Sequence, residues 1–267
     1  MINKHLLFFN LKSSLVMFLS FLGITLMYST IATAMFNPET SELLQQFIDV
    51  LPESVGNMMG FTDFGTELTG YLASYLYGFI FFIFPMIFIV MLGNKLISKQ
   101  VDDSSMSYLL TTPNSRVKIA ATQALTLFTY LFSLIFINVV IIIIISVIAF
   151  PGHLMIGKFI GLNFVLLGVL TGVSSLVFLI STLVPDYSKA VGFSSLLVGY
   201  LFIMNMITKL SEDLEFLKFT TFLSLVDKDK IMDSNLFIVL SGSITLIAGI
   251  IIYIISIYIF NKKSLTI

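Results

Sequence analysis

The stretch Leu131-Phe132-Ser133-Leu134-Ile135-Phe136-Ile137-Asn138-Val139-Val140-Ile141-Ile142-Ile143-Ile144-Ile145-Ser146-Val147-Ile148 decides the fold. It carries no charge, and Ser133, Asn138 and Ser146 are its only polar residues. The run Ile141–Ile145 is β-branched throughout and would suit a strand in water. The uncharged segment extends back to Ile119, however, and spans roughly 45 Å at helical rise. A single segment in lipid must satisfy its own backbone hydrogen bonds, so helix wins. Its first turns carry Thr122, Gln123, Thr126 and Thr129, which suit an aqueous, cytoplasmic end.

The rest of the chain reads the same way. Of 267 residues 57% are hydrophobic and only 11% charged, where a soluble domain carries about 25% charged residues. So little charge cannot solvate a globule of this size. Six spans are predicted at about 15–34, 71–93, 119–148, 159–184, 189–208 and 236–260, forming one transmembrane domain over 1–267. None contains an Asp, Glu, Lys or Arg, apart from Lys189 at the edge of the fifth. The fold class is therefore an all-α integral membrane protein. There is no cysteine, which excludes disulfides and thiolate metal sites. Tryptophan is also absent, so 27 Phe and 10 Tyr supply any interfacial aromatics.

The first span has one competing reading. Lys4 and Lys12 precede it, and Ala32-Thr33-Ala34 resembles a signal-peptidase site. Its apolar run is long for a signal peptide, so a retained helix is expected. Orientation follows from the basic residues. With the N-terminus inside, cytoplasmic segments hold Lys4, Lys12, Lys95, Lys99, Arg116, Lys118, Lys189, Lys262 and Lys263. The outside holds Lys158, Lys209, Lys218, Lys228 and Lys230, and most of the acidic residues. The inside therefore has the larger share, and both termini are expected in the cytoplasm. The localisation implied is the cell membrane.

Two outer segments exceed simple turns. In Met35–Gly70, Leu43, Leu44, Phe47, Ile48 and Leu51 recur at helical spacing. In Lys209–Asn235, Leu210, Leu214 and Leu217 do the same. Either could cap the span ends or gate a substrate exit. In the fourth span Gly157, Gly161, Gly168, Gly172 and Ser175 share one face and predict a close helix–helix seam. In the second, Tyr71, Tyr75, Phe82, Met86 and Ile89 share a face, and Pro85 is expected to kink the helix. That face is either packed or the wall of a pathway.

Chemistry is sparse. Ionisable groups within spans usually mark ion or proton paths, and none is present. Asn138, Asn163 and Asn205 are expected to bridge helices. His5 and His153 fall on opposite sides, so they form no metal pair. No phosphate-binding glycine loop and no serine–histidine dyad is found, so the chain is not expected to be an enzyme. Nothing points to nucleic acid.

The inner loop between spans two and three is the informative segment. Asp102, Asp103 and Ser104 suit a helix start, Met106, Leu109 and Leu110 make an apolar face, and Pro113 disfavours helix at Thr112. Asn114 or Ser115 can cap the next helix. The reading is a short amphipathic helix across the cytoplasmic end, lying on the membrane or docking a partner.

The run Asp102-Asp103-Ser104-Ser105-Met106-Ser107-Tyr108-Leu109-Leu110 followed by Pro113-Asn114-Ser115-Arg116 resembles the first inner loop of permease subunits of the type-2 ATP-binding-cassette exporter family. Ser104 stands where that family often has Gly. The stretch from Leu51-Pro52-Glu53 to Gly70-Tyr71-Leu72-Ala73 is similar to its outer loop. The resemblance implies six spans with both ends inside and a coupling helix, here Asp102, Asp103, Ser104, Met106, Tyr108, Leu109, Leu110, Pro113 and Arg116. It implies a separate ATPase subunit that binds ATP and Mg, and a second permease chain. It also implies a route lined by spans two and five, here Tyr71, Tyr75, Phe82, Met86, Ser194, Ser195 and Asn205. The uncharged, aromatic-rich spans favour an amphipathic or hydrophobic substrate such as a peptide, drug or lipid. A sodium-exporting relative and a non-transporting immunity or accessory protein stay open.

Overall fold

The computed structural model describes residues 2–37, 67–111, 114–210 and 212–263, without the side chains of Leu110, Glu212, Asp213 and Glu215. The expected helix around Leu43–Leu51 and the Pro113 stop lie outside the described residues. Among the described residues, six helices are long and apolar enough to cross a membrane, and the architecture is all-α.

A short helix α1 (Lys4–Ser13) leads through Ser14 into α2 (Leu15–Ala34), the first span. The sequence reading does not anticipate α1, because Asn3, Asn10 and Lys12 hide its short apolar run. Asn3 caps it by accepting from the N–H groups of His5 and Leu6. The second span is two pieces, α3 (Leu68–Tyr77) and α4 (Ile80–Leu96). The single helix expected over 71–93 is thus corrected: it breaks at Gly78–Phe79. Phe79 has φ −142° and ψ −58° and restarts the helix, its carbonyl accepting from the N–H of Phe82 and Ile83. Pro85 lies inside α4.

After Ile97 come α5 (Ser98–Asp102) and α6 (Ser105–Thr111). The third span is α7 (Arg116–Ala149), whose 34 residues exceed what a bilayer needs. Ser115 caps it, accepting from the N–H of Lys118 at 3.3 Å. The fourth and fifth spans are α8 (Ile156–Leu183) and α9 (Tyr187–Ile207). Two 3-10 segments (Glu212–Thr220 and Phe222–Leu225) and α10 (Lys228–Asp233) replace the single apolar helical face expected after Lys209. The last span is α11 (Asn235–Lys262).

The central helix is α8, which packs on α4, α7, α9 and α11 and has Val165, Val169, Leu170, Val173 and Val177 fully buried. Its seam with α11 is the tightest. A Cβ on Gly168 would sit 2.6 Å from the Gly242 carbonyl oxygen, and one on Gly249 would sit 3.1 Å from the Gly172 nitrogen. Only glycine lets these backbones approach so closely. Tyr253 of α11 completes the seam, its hydroxyl donating to Ser174 Oγ at 2.8 Å. The neighbour that the glycine face implies is therefore in the same chain. Gly161 belongs to the seam and faces Ile238, but Gly157 meets open space and is removed from it.

Hydrogen bonds identify the two ends of the bundle. Near the N-terminus, Asn3 N–H donates to Thr122 Oγ1 at the start of α7. Near the C-terminus, the Lys263 carbonyl accepts from Arg116 at 2.6 Å. Asn3 and Lys263 therefore meet the same end of α7. At the opposite end, Met155 N–H donates to Thr69 Oγ1 at 2.7 Å, and Lys158 reaches Asn235 Oδ1 at 2.9 Å.

Candidate functional site

The termini end carries an elbow built by α5 and α6. At Ile97 the backbone leaves the axis of α4 (φ −121°, ψ −72°), while Ser98 N–H is held by Ser181 Oγ of α8 at 3.0 Å. Asp103 then caps α6 by accepting from Ser105 N–H at 3.0 Å. The Ser105 hydroxyl and N–H hold the Asp103 carboxyl below the usual aspartate range, helped by Lys99. Ser104 turns the chain at φ +60°, the left-handed region. The segment is thus two short helices about a left-handed turn, and the expected helix start at Asp102 moves to Ser105.

The expected apolar face of α6 points back into the protein. Met106 is 0% exposed among Leu96, Ile97, Ile119 and Ala120, and Leu109 packs on the same cluster. Tyr108 is 78% exposed, and Asp102, Asp103 and Ser104 are exposed beside it. Arg116 is engaged with the Lys263 carbonyl. Leu110 and Pro113 lie outside the described side chains. A partner at this end would meet Tyr108 and the two aspartates, with Met106 anchoring the elbow from beneath.

A polar girdle missed by the sequence reading braces the elbow. Asn10 of α1 donates to Gln123 Oε1 at 2.5 Å, and Gln123 donates to Gln100 Oε1 of α5 at 2.9 Å. Lys95 donates to Ser13 O and Ser14 Oγ, both at 3.0 Å. Three helices are thereby tied to the elbow. Glutamines and asparagines clustered near predicted span ends were the available signal.

The residues expected along a route do not share one surface of this chain. Tyr71, Phe82 and Met86 are each 1% exposed, inside the chain's own core. Tyr75 stacks between Tyr71 (centroids 5.5 Å) and Tyr28 of α2 (5.8 Å). Ser194 is buried and accepts from Asn94 Nδ2 of α4 at 3.1 Å, joining spans two and five. Ser195 is exposed on another side of α9. Asn138 bridges helices as expected, donating to Thr25 Oγ1 of α2 at 3.0 Å.

Asn205 leads to the other end. It lines a cavity of about 520 Å³ together with Ala73, Tyr77, Gly78, Lys209, Lys218, Phe219 and the segment 224–230. The break at Gly78 opens onto this cavity. Non-helical backbone at membrane depth is tolerated where it lines such a space, which accounts for the break falling here.

Comparison with family models, curated proteins and solved structures finds no match. The geometry is that of an all-α, multi-span membrane protein, consistent with a generic permease-like fold.

Proposed function

We propose that the chain is the membrane-spanning half of an ATP-driven exporter, a conduit for an amphipathic or hydrophobic substrate, worked by a separate cytoplasmic ATPase. The elbow is the observation that carries this reading. It is braced by α1, α7 and α8, so a push on α6 would pass through Met106 into the ends of α4 and α7 rather than bending a loose loop. A rigid element with an exposed aromatic and two exposed carboxylates suits a docking surface. In this reading the chain has no catalytic role: ATP and Mg belong to the ATPase, and a second permease, identical or paralogous, completes the transporter.

The test replaces Tyr108 with a photo-crosslinking residue in the native membrane. The expected adduct is a soluble protein with a phosphate-binding loop. A companion variant, Tyr108→Asp, should reach the membrane normally and lose that protein on co-purification. Loss of an aromatic anchor at an interface costs about 2 kcal/mol, roughly 30-fold in affinity. Adducts with lipid alone, or an ATPase retained by Tyr108→Asp, would return the chain to the class of non-transporting accessory proteins.

A further inference from the structure

The cavity at the end opposite the termini has a chemistry unlike the rest of the protein. Its lower wall, formed by Ala73, Tyr77, Leu162 and Phe237 of α3, α8 and α11, is apolar apart from the Tyr77 hydroxyl. Its upper wall carries Lys209, Lys218, Lys228 and Lys230, against Asp227 and Asp229. Asp227 is already engaged. It accepts from the N–H of Asp229 and Lys230 and pairs with the Lys230 ammonium at 3.0 Å. Lys228 donates to Ser74 Oγ at 2.8 Å.

Lys218 and the exposed Asp229 also line the space, and so do Lys209 and Asn205. Lys209, just past the end of α9, is partly buried, and its ammonium has no hydrogen bond or ion pair among the described residues. Burial lowers its pKa from the ordinary lysine value; Asp227 opposes that shift and Lys228 adds to it. Asn205, one turn earlier, is 1% exposed, and its Oδ1 has no hydrogen-bond partner among the described residues. A carboxamide so placed can turn its N–H₂ toward an incoming acceptor. Among the described residues, a desolvated ammonium with no hydrogen bond and a buried amide oxygen with none, on one wall, are costly unless something fills the gap. Glu212, Asp213 and Glu215 of the same segment lie outside the described side chains, so Lys209 and Asn205 carry the assignment.

We infer that this cavity binds the anionic head of a single-chain amphiphile, its phosphate or carboxylate between Lys209 and Asn205 and its chain along Ala73, Tyr77 and Leu162. The volume of about 520 Å³ falls in the range of small-molecule sites. It holds a head group and the first carbons of a chain but not a folded peptide. Binding does not depend on an ATPase docking at the elbow. That the amphiphile is also cargo rests on the proposed function.

The chain has no tryptophan, so Phe219→Trp on the exposed rim gives a single reporter. In phosphatidylcholine vesicles this variant is titrated with dodecyl phosphate, sodium laurate, dodecyl phosphocholine and inorganic phosphate. The expected order is saturable binding of the two anionic amphiphiles, at least tenfold tighter than dodecyl phosphocholine or inorganic phosphate. Adding Lys209→Gln should weaken dodecyl phosphate at least tenfold, and Lys12→Gln at the far end should change nothing. Equal binding of the anionic and zwitterionic amphiphiles would overturn the head-group assignment, and that comparison needs no variant at Lys209. Inorganic phosphate binding as tightly as dodecyl phosphate would overturn the apolar half. Undiminished binding in Lys209→Gln would remove Lys209 from the site. All of these readings are made without ATPase, so their failure is separate from failure of the exporter reading.

Discussion

Ser104 holds φ +60°, a conformation that costs a residue with a Cβ about 1 kcal/mol or more. Its neighbours make the turn compulsory: Asp103 is committed to Ser105, and the Ser104 carbonyl accepts from Ser107 N–H at 3.1 Å. Glycine would adopt the same turn without that cost, although it loses more freedom on folding. Ser104→Gly should therefore stabilise the protein modestly, by up to about 1 kcal/mol, with a melting temperature higher by about 2 °C. Ser104→Val should lower it. Thermal unfolding followed by tyrosine fluorescence checks both, and a lower melting temperature for the glycine variant would contradict the turn. The capping role of Asp103 was legible here, since Asp advertises that preference locally, whereas the left-handed turn at Ser104 was not, because serine seldom adopts it. The direction of Met106 was not legible either. Whether an apolar face on a seven-residue helix meets a partner or its own protein depends on Leu96, Ile97 and Ile119, which come from other helices.

At the level of elements, α2 runs over Leu15–Ala34 as expected, and α7, α8, α9 and α11 end within a few residues of their expected bounds. A long uncharged run in lipid has one structural solution, so hydropathy alone finds it. The second span resisted because hydropathy is blind to a break among apolar residues. The kink was expected at Pro85, which lies in the second turn of the continuous α4, while the break falls at Gly78–Phe79 beside a cavity that no local pattern announces. The glycine face of α8 was legible as a seam, and its partner was not. Replacing Gly168 and Gly172 with Leu would drive side chains into the Gly242 backbone and into Phe222. Overpacking at a site that cannot yield costs about 1–3 kcal/mol or more per position. The double variant should lose its monodisperse peak on gel filtration. Gly157→Leu, which meets open space, should elute as wild type. The opposite ranking would mean that α8 and α11 are not in close contact.

Over the whole molecule, the two ends differ in build. The termini end is braced by the amides of Asn10, Gln100 and Gln123 and presents Tyr108. The other end is hollow, with a broken span as its floor and lysines around its mouth. In the proposed function the braced end receives a push and the hollow end holds an amphiphile. The basic residues fixed the expected orientation from sequence, whereas the cavity depends on α3, α8, α9 and α11 converging, which no single segment encodes. A cytoplasmic ATPase can reach only the end that faces the cytosol, so the orientation of the bundle decides whether the elbow can dock one. The chain has no cysteine, so Tyr108→Cys and Phe219→Cys each introduce one thiol at an exposed position, 78% and 85% accessible. Intact cells are treated with a membrane-impermeant maleimide, then permeabilised and treated again. The account predicts that Cys at 219 labels in intact cells and Cys at 108 labels only after permeabilisation. Labelling of position 108 in intact cells, with 219 protected, would put the elbow outside the cell and contradict the exporter reading outright.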